Sequence, residues 1–307
     1  MSKKRRSVGV WLAEVLLRPW SLLPLGFHYA MGRVLSWFLE KVMHYRKDVV
    51  VINLSRSFPH LKYADIQRIA HEFYRHLGEI AAEAVWFGGC RGKRGRARLV
   101  KSGIVEIANP EVLNEAIDRG AGTMLLMSHR GNWELFGGFP FYHPDLKLQY
   151  DRVGVVYKVF SSKFWDRFIE DNRCAPVIGL PGFTGYVESR EILRYAILHR
   201  RDNYAYMFNT DQYPYYGSLR YDVGEFLHQP TFAMGGAAAL ASRLGMTVLF
   251  LRWDRPERGK WRVSLVPITE DASAVTPEDI MKQYYTLLQA DLETDPARYL
   301  WSHKRWK

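Results

Sequence analysis

The stretch GTMLLMSHRGNWELFGG, residues 122–138, joins one apolar run to another through a short polar segment. A short apolar run bounded by glycine is typical of a buried strand, and the residues after it favour a helix. His129 therefore lies where a predicted strand ends, and Glu134 lies in the first turns of the next helix. Such strand–turn–helix units are the building blocks of parallel α/β sheets.

Strand-like and helix-like stretches alternate along most of the chain. Predicted strands lie at 97–107, 122–129, 153–160, 175–180, 203–211, 246–255 and 260–268. Predicted helices lie at 62–87, 110–120, 131–142, 161–172, 187–200, 229–245 and 276–295. A serine caps the helix that starts near 161, and Thr276 with Pro277 begins the last helix. The alternation predicts an α/β fold with a mainly parallel sheet flanked by helices, whose active site lies at the carboxyl ends of the strands.

The chain is strongly basic, with 43 Lys and Arg against 32 Asp and Glu and a formal net charge of +11. Such an excess attracts anionic lipid headgroups, an acidic carrier protein or nucleic acid. The basic segment 88–98 is predicted to be a solvated loop, with contact to a membrane or an acidic partner as the alternative.

Two cysteines, Cys90 and Cys174, exclude a disulfide framework or a zinc cluster and favour a reducing compartment.

The N-terminal segment, residues 1–45, begins with KKRR and then becomes apolar. Glu14 and Arg18 interrupt the apolar region, and this argues against a secretory signal. The longest run without Asp, Glu, Lys or Arg, 19–32, has 14 residues, whereas a membrane span needs roughly 20. A helix lying in the headgroup plane, or a hairpin entering one leaflet, is predicted on the cytoplasmic side. A buried helical layer is the alternative.

His129 and Glu134 allow two interpretations from the residues alone. They are either polar residues at the edge of a core or a base and the carboxylate that orients it. In the second case the carboxylate fixes the imidazole tautomer, and the free ring nitrogen takes a proton from a hydroxyl. The sequence has no G-x-S-x-G elbow and no H-E-x-x-H helix, so the base would act directly on a substrate hydroxyl.

Further polar residues occupy comparable places along the chain. Arg173 ends a predicted helix, and Asp211 and Gln212 follow a predicted strand directly. The C-terminus reads DPARYLWSHKRWK. Each has an ordinary structural interpretation, namely a capping arginine, a turn aspartate and a basic tail.

Together these stretches resemble the bacterial lipid A biosynthesis acyltransferases, the late lauroyl/myristoyl transferases of the lysophospholipid acyltransferase-like superfamily. The resemblance covers nearly the whole chain. The matching positions are Arg46, Asn53, Leu54, Phe58, Pro59, His129, Asn132, Trp133, Glu134, Leu135, the stretch VVYKVF, Asp211, Gln212, Tyr299, Trp301, His303, Arg305, Trp306 and Lys307.

The resemblance implies a glycerol-3-phosphate acyltransferase-like fold, with a membrane-associated helical segment over 1–45 and a single acyltransferase domain over 46–307. It implies an enzyme on the cytoplasmic face of the inner membrane that serves lipopolysaccharide synthesis. Such an enzyme moves a fatty acyl chain from acyl carrier protein or acyl-CoA to a hydroxyl of a lipid A precursor. No metal or cofactor is implied. An anionic membrane surface is an expected partner, and nucleic acid is not.

By the same resemblance, His129 is the general base and Glu134 orients it. The implied substrate-binding residues are Arg173, Asp211, Gln212, Asn132 and Lys158, with Arg173 expected to bind a phosphate or the thioester oxygen. Lys158 departs from the arginine of many members, and the segment after Asp211 lacks their Pro-Phe-Phe-Gly run. Two alternatives stay open: acylation of another membrane glycolipid or aminolipid from acyl-CoA, and a catalytically idle member that binds membrane or nucleic acid.

Overall fold

Strands and helices alternate in the computed structural model, which describes residues 18–159, 161–183 and 186–306. The strands are β1 (Val105–Ile107), β2 (Thr123–Met127), β3 (Val153–Tyr157), β4 (Val187–Glu188), β5 (Ala205–Asn209), β6 (Arg220–Phe226), β7 (Gln229–Met234), β8 (Thr247–Glu257) and β9 (Lys260–Thr269). The α-helices are α1 (Leu25–Trp37), α2 (Lys47–Ser57), α3 (Tyr63–Gly88), α4 (Gly92–Ser102), α5 (Pro110–Asp118), α6 (Lys163–Arg173), α7 (Ile192–Leu198), α8 (Gly236–Leu244) and α9 (Pro277–Thr294). A π-helix spans Phe38–Val42, and 3-10 helices span Trp133–Phe141, Tyr150–Arg152, Ala272–Ala274 and Pro296–Arg298.

Within these ranges the main sheet has seven strands in the order β1-β9-β8-β2-β5-β3-β4. Neighbouring strands are parallel except β8 and β9, which form an antiparallel pair. Strands β6 and β7 form a separate antiparallel hairpin. The predicted α/β fold with a mainly parallel sheet flanked by helices is therefore confirmed.

The central strand β2 is buried on both faces because its side chains alternate between two cores. Met124 and Leu126 belong to a core that also holds Tyr284 of α9. Leu125 and Met127 belong to the opposite core. This explains why β2 appears in the sequence as a continuous apolar run rather than as an alternating one.

Helix α1 packs closely on α3, so part of the N-terminal segment belongs to the folded body. The two backbones meet at Gly32 and Gly78, and a Cβ on Gly32 would lie 2.6 Å from the carbonyl oxygen of Gly78. Residues 1–17 of the predicted membrane-associated segment lie outside the described residues. In the part of the chain that is described, no helix is both long and apolar enough to cross a membrane.

Some predicted elements differ in the structure. The predicted basic loop and strand over 88–107 are largely the helix α4, with only β1 at the end. Side chains of α4 bond to distant backbone, because Arg96 donates to the carbonyl of Pro176 and Arg98 to that of Ser21. The predicted strand 175–180 consists of turns, and the first part of the predicted helix 229–245 is the strand β7, which pairs with β6. These differences arise from contacts between distant segments.

Candidate active site

The carboxyl ends of β2 and β5 bring two of the predicted site residues together. The strands pair in register, with Met127 opposite Asn209. His129 and Asp211 each lie two residues beyond that pair, at the strand ends where sites of such sheets form. The turn over residues 128–132, named the catalytic turn for the role proposed below, bends at Gly131, whose φ is +80°. Only glycine adopts this φ without strain, and a Cβ there would also press on Trp253 at 2.6 Å.

A buried carboxylate holds the imidazole of His129. The Nδ1 atom of His129 lies 2.8 Å from Oδ1 of Asp211, and the backbone N–H of His129 donates to Oδ2 at 3.1 Å. Burial by itself would raise the pKa of Asp211, but attraction to His129 and the hydrogen bonds from its ring and backbone lower that pKa overall. A charged Asp211 stabilises the tautomer that carries its proton on Nδ1, so Nε2 is left as the acceptor.

The second ring nitrogen of His129 has a weaker protein contact. The side-chain nitrogen of Gln212 lies 3.4 Å from Nε2. The indole of Trp133 packs edge-on against the imidazole, with ring centroids 5.0 Å apart. The His129 side chain keeps 15% of its surface exposed, so a substrate hydroxyl can replace the long contact to Gln212. This arrangement meets the geometric requirement for a general base.

Glu134 pairs with Arg173 rather than with the imidazole, which corrects the predicted His129–Glu134 pair. Its two carboxylate oxygens accept hydrogen bonds from Nε and Nη2 of Arg173 at 2.7 and 2.5 Å. The 3-10 helix that begins at Trp133 turns the Glu134 side chain toward the end of α6. Gly137 lets this 3-10 helix lie directly against the carbonyl oxygen of Arg173.

Both members of the Glu134–Arg173 pair are charged. Burial by itself would raise the pKa of Glu134, but the charge and the hydrogen bonds of Arg173 lower it. Burial would likewise lower the pKa of Arg173, but Glu134 raises it overall. A fixed bidentate pair therefore lies beside the catalytic turn.

Asn132 lies beneath the site, which corrects its predicted role in substrate binding. It is 0% exposed. Its Nδ2 donates to Oε2 of Glu83 at 2.7 Å, and its Oδ1 accepts the backbone N–H of Glu134 at 3.0 Å. Glu83 was absent from the predicted site. A signal existed in the sequence, because Glu83 lies three residues after Ile80 and four before Phe87, on the apolar stripe of its helix.

Lys158 follows β3 at the same edge of the sheet but has a different neighbour. Its Nζ lies 3.7 Å from the ring centroid of Tyr215.

Of the predicted residues, the structure joins His129, Asp211 and Gln212 directly and sets the Glu134–Arg173 pair beside them. Among the residues that the structure describes, no group of three or more His, Cys, Asp or Glu side chains is arranged to hold a metal ion.

The C-terminal segment supports the catalytic turn from one side. The backbone N–H of Gly131 donates to the carbonyl of Arg298 at 3.0 Å. Arg130 and Tyr299 form an antiparallel bridge. The conformation of the turn therefore depends on a segment that lies more than a hundred residues later in the chain.

Two predicted motif residues on or next to α2 hold the C-terminal segment in place. The side-chain nitrogen of Asn53 donates to the carbonyls of Trp301 and His303, both at 2.8 Å. Arg46 donates to the carbonyl of Ser302 at 2.9 Å. Their part in the site is therefore indirect, through support of the segment that supports the catalytic turn.

An apolar cavity of about 570 Å³ adjoins the site, along α3. Its apolar lining comprises Leu35, Leu39, Leu77, Ile80, Ala81, Ala84, Val85, Trp133, Phe168 and Ile169. The α3 positions from 77 to 88 span about 16 Å of helix. Trp133, which touches the His129 ring, and Glu134 also line the cavity. The cavity therefore reaches the two residues that follow the catalytic turn, and it has the apolar lining that a hydrocarbon chain requires.

A comparison with known protein families gives a match over all but the first residue of the chain. The family model of the bacterial lipid A biosynthesis acyltransferases matches residues 2–307. A search of curated proteins returned no match.

Proposed function

This chain belongs to the bacterial lipid A biosynthesis acyltransferase family, and from that premise we propose that it moves a fatty acyl chain from a thioester to a hydroxyl of a lipid A precursor. The observation that carries the proposal is the His129–Asp211 pair next to an apolar cavity, whose lining residue Trp133 packs against the His129 ring. The pair supplies a base for the hydroxyl, and the cavity supplies a place for the acyl chain.

In the proposed reaction, Nε2 of His129 takes the proton of the acceptor hydroxyl while its oxygen attacks the thioester carbonyl carbon. A carbon–oxygen bond forms, and the carbonyl becomes a tetrahedral oxyanion. When this intermediate collapses, the carbon–sulfur bond breaks and the leaving sulfur takes the proton back from His129. The products are an ester and a thiol. Asp211 stabilises the imidazolium that exists between the two proton transfers.

Arg173 is proposed to stabilise the oxyanion. Glu134 engages its Nε and Nη2, and this fixes the guanidinium plane beside the catalytic turn. A fixed positive charge in a partly buried site lowers the energy of a developing oxyanion. Glu134 would thus act on the charge of the thioester oxygen through Arg173, rather than on the basicity of His129.

Acyl carrier protein is the proposed donor, because a chain with a net charge of +11 attracts an acidic partner. The test compares acyl carrier protein and CoA thioesters of one chain length. A higher kcat/KM for the carrier-bound donor at low salt, with an advantage that shrinks as salt rises, supports the carrier. Equal values for both donors would contradict a preference for the carrier, and a higher value for the CoA thioester would favour CoA.

The proposed location is the cytoplasmic face of the inner membrane, bound through the N-terminal surface. Between residues 20 and 43 the large apolar side chains that are exposed are Trp20, Leu22, Phe27, Met31, Val34, Leu35, Trp37, Phe38, Val42 and Met43. The basic helix α4 is attached to this surface, because Arg98 donates to the carbonyls of Ser21 and Leu23. Apolar side chains next to basic ones suit the headgroup region of an anionic bilayer.

Sedimentation with vesicles tests this location. Lys93 and Arg94 of α4 are exposed, and replacing both with glutamate should weaken binding to vesicles that contain anionic lipid. Arg200→Glu with Arg201→Glu is the matched control, since it makes the same charge change at exposed positions next to α7. Equal loss in both double variants would show that net charge, rather than this surface, determines binding.

The reaction itself is tested with full-length protein, an acyl carrier protein thioester and a lipid A precursor, with the products identified by mass spectrometry. Wild-type protein should add one acyl chain, and His129→Ala should abolish the addition while leaving thermal unfolding unchanged. His143→Ala is the control at a histidine outside the site. Near-normal transfer by His129→Ala would refute the base assignment.

A further inference from the structure

A fully buried carboxylate lies directly beneath the catalytic turn. Glu83, on α3, is 0% exposed. Its Oε1 accepts hydrogen bonds from the hydroxyl of Tyr29 at 2.6 Å and from Nη2 of Arg255 at 3.1 Å. Its Oε2 accepts from Nδ2 of Asn132 and from Nε1 of Trp261, both at 2.7 Å. These donors fill the roughly four lone-pair positions that a carboxylate offers.

The donors come from separate parts of the fold. Tyr29 belongs to α1, Arg255 to the end of β8, Trp261 to β9 and Asn132 to the catalytic turn. The Arg255 side chain is only 3% exposed and supplies the opposite charge that a buried carboxylate requires. Glu83 therefore joins the N-terminal helix, the sheet and the catalytic turn at one point.

Asn132 connects the buried Glu83 to the backbone of the site. One end of its amide is held by Glu83, and the other end accepts the backbone N–H of Glu134. We propose that Glu83 and Asn132 are a positioning pair that fixes the catalytic turn, so that His129 and Glu134 keep their places relative to Asp211 and Arg173. The inference rests on the acyl transfer proposed above, and neither member of the pair touches the reacting atoms.

Hydrogen bonds fix the position of the catalytic turn better than apolar contacts would. They are directional, and a fully satisfied polar network in a core specifies one arrangement of its members. Apolar side chains of similar volume would fill the same space but would allow the turn to shift. A shift of about 1 Å at a site can cost about 100-fold in rate.

Swapping the carboxylate and the amide between positions 83 and 132 tests the positioning pair. Asn132→Asp places two carboxylates at the 2.7 Å contact and should lower kcat about 100-fold, with KM for the acyl donor little changed. Glu83→Gln should lower kcat less. In the double variant the amide nitrogen lies at position 83 and the acceptor oxygen at position 132. The repulsion between two carboxylates is removed and the hydrogen bond runs in reverse, while Nε1 of Trp261 loses its acceptor, so the recovery is partial. The double variant should regain at least about tenfold of the kcat lost in Asn132→Asp.

Hydrogen exchange of the peptide that covers the catalytic turn gives a readout independent of activity. Exchange should be faster in Asn132→Asp and slower again in the double variant. If wild-type protein transfers no acyl chain, the proposed function fails, while the exchange data still test the pair. Asn132→Ala, which adds no charge, serves if Asn132→Asp does not fold, and faster exchange in the turn is again expected.

The control is Asn109→Asp, at a partly buried asparagine that bonds the backbone of Leu265 away from the site. It should leave kcat and the exchange of the catalytic turn unchanged. A double variant no faster than Asn132→Asp, or a catalytic turn with unchanged exchange in Asn132→Asp and Asn132→Ala, would overturn the inference.

Discussion

Replacing Asp211 with asparagine is the most informative single change, because it removes the charge that holds His129 and keeps the shape. The carboxylate contacts both Nδ1 and the backbone N–H of His129, at 2.8 and 3.1 Å. An asparagine has one oxygen and one NH₂ group in their place. If the oxygen keeps the backbone bond, the NH₂ group faces Nδ1, and the ring then carries its proton on Nε2. That tautomer cannot accept a proton from the substrate.

The fall in kcat expected for Asp211→Asn follows from the hydrogen bonds between Asp211 and His129. A hydrogen bond to a charged group contributes about 1.5–3 kcal/mol, and a loss of 3 kcal/mol in the transition state corresponds to about 150-fold in rate. The reversed tautomer adds to this, and in a serine hydrolase triad the same change of carboxylate to amide costs about 10⁴-fold. For Asp211→Asn we therefore expect kcat to fall by about 10³-fold.

Single-turnover acyl transfer with a preloaded thioester donor measures this step, because it separates chemistry from product release. Glu134→Gln is the comparison variant, since Glu134 holds Arg173 and not the imidazole. It should lower the rate without shifting the basic group seen in the pH–rate profile, whereas Asp211→Asn should alter that profile. A near-normal rate in Asp211→Asn together with an altered profile in Glu134→Gln would refute the assignment of Asp211 to the imidazole.

Three further predictions concern the cavity, acid stability and helix packing. Ala81→Phe, inside the cavity, should shift the products to shorter acyl chains by mass spectrometry, whereas Ala97→Phe on exposed α4 should not. The pKa of Asp211 is lowered in the folded protein. The charged Asp211 therefore stabilises the fold fully above the ordinary aspartate pKa of about 4, and this stabilisation is lost as the pH falls through the lowered pKa of the folded state. The difference in unfolding free energy between wild type and Asp211→Asn should therefore shrink as the pH falls below about 4, and a constant difference would contradict this. Gly32→Ala should lower the thermal midpoint through a cost of about 1–3 kcal/mol, while Gly26→Ala, with open space around it, should not.

Local patterns were sufficient to predict much of the fold. The apolar run before His129 is strand β2, and the amphipathic stretch over 62–87 is α3. The predicted caps are present, since Ser162 accepts from the N–H of Trp165 and Thr276 from that of Asp279. These features depend on residues a few positions apart, so their physics is contained in short stretches.

Contacts between distant residues account for what was predicted wrongly. Glu134 lies five residues after His129 and could fold back on it, so the sequence pattern favoured that pair. The structure pairs His129 with Asp211, 82 residues away. The register of β2 and β5 decides this choice, because a different register would place another residue of β5, or of the segment after it, beside the imidazole.

The α/β alternation, the position of His129 at a strand end and the membership in an acyltransferase family could all be predicted from the order of the residues. Folding alone shows that Asp211 rather than Glu134 contacts the imidazole of His129, that Asn132 is buried on Glu83, and that an apolar cavity lies beside Trp133. Local patterns do not reveal these contacts, because packing among several elements determines each hydrogen-bond partner and each cavity wall. Residue type and local spacing indicate which side chains are available, and strand register and helix docking determine which of them touch.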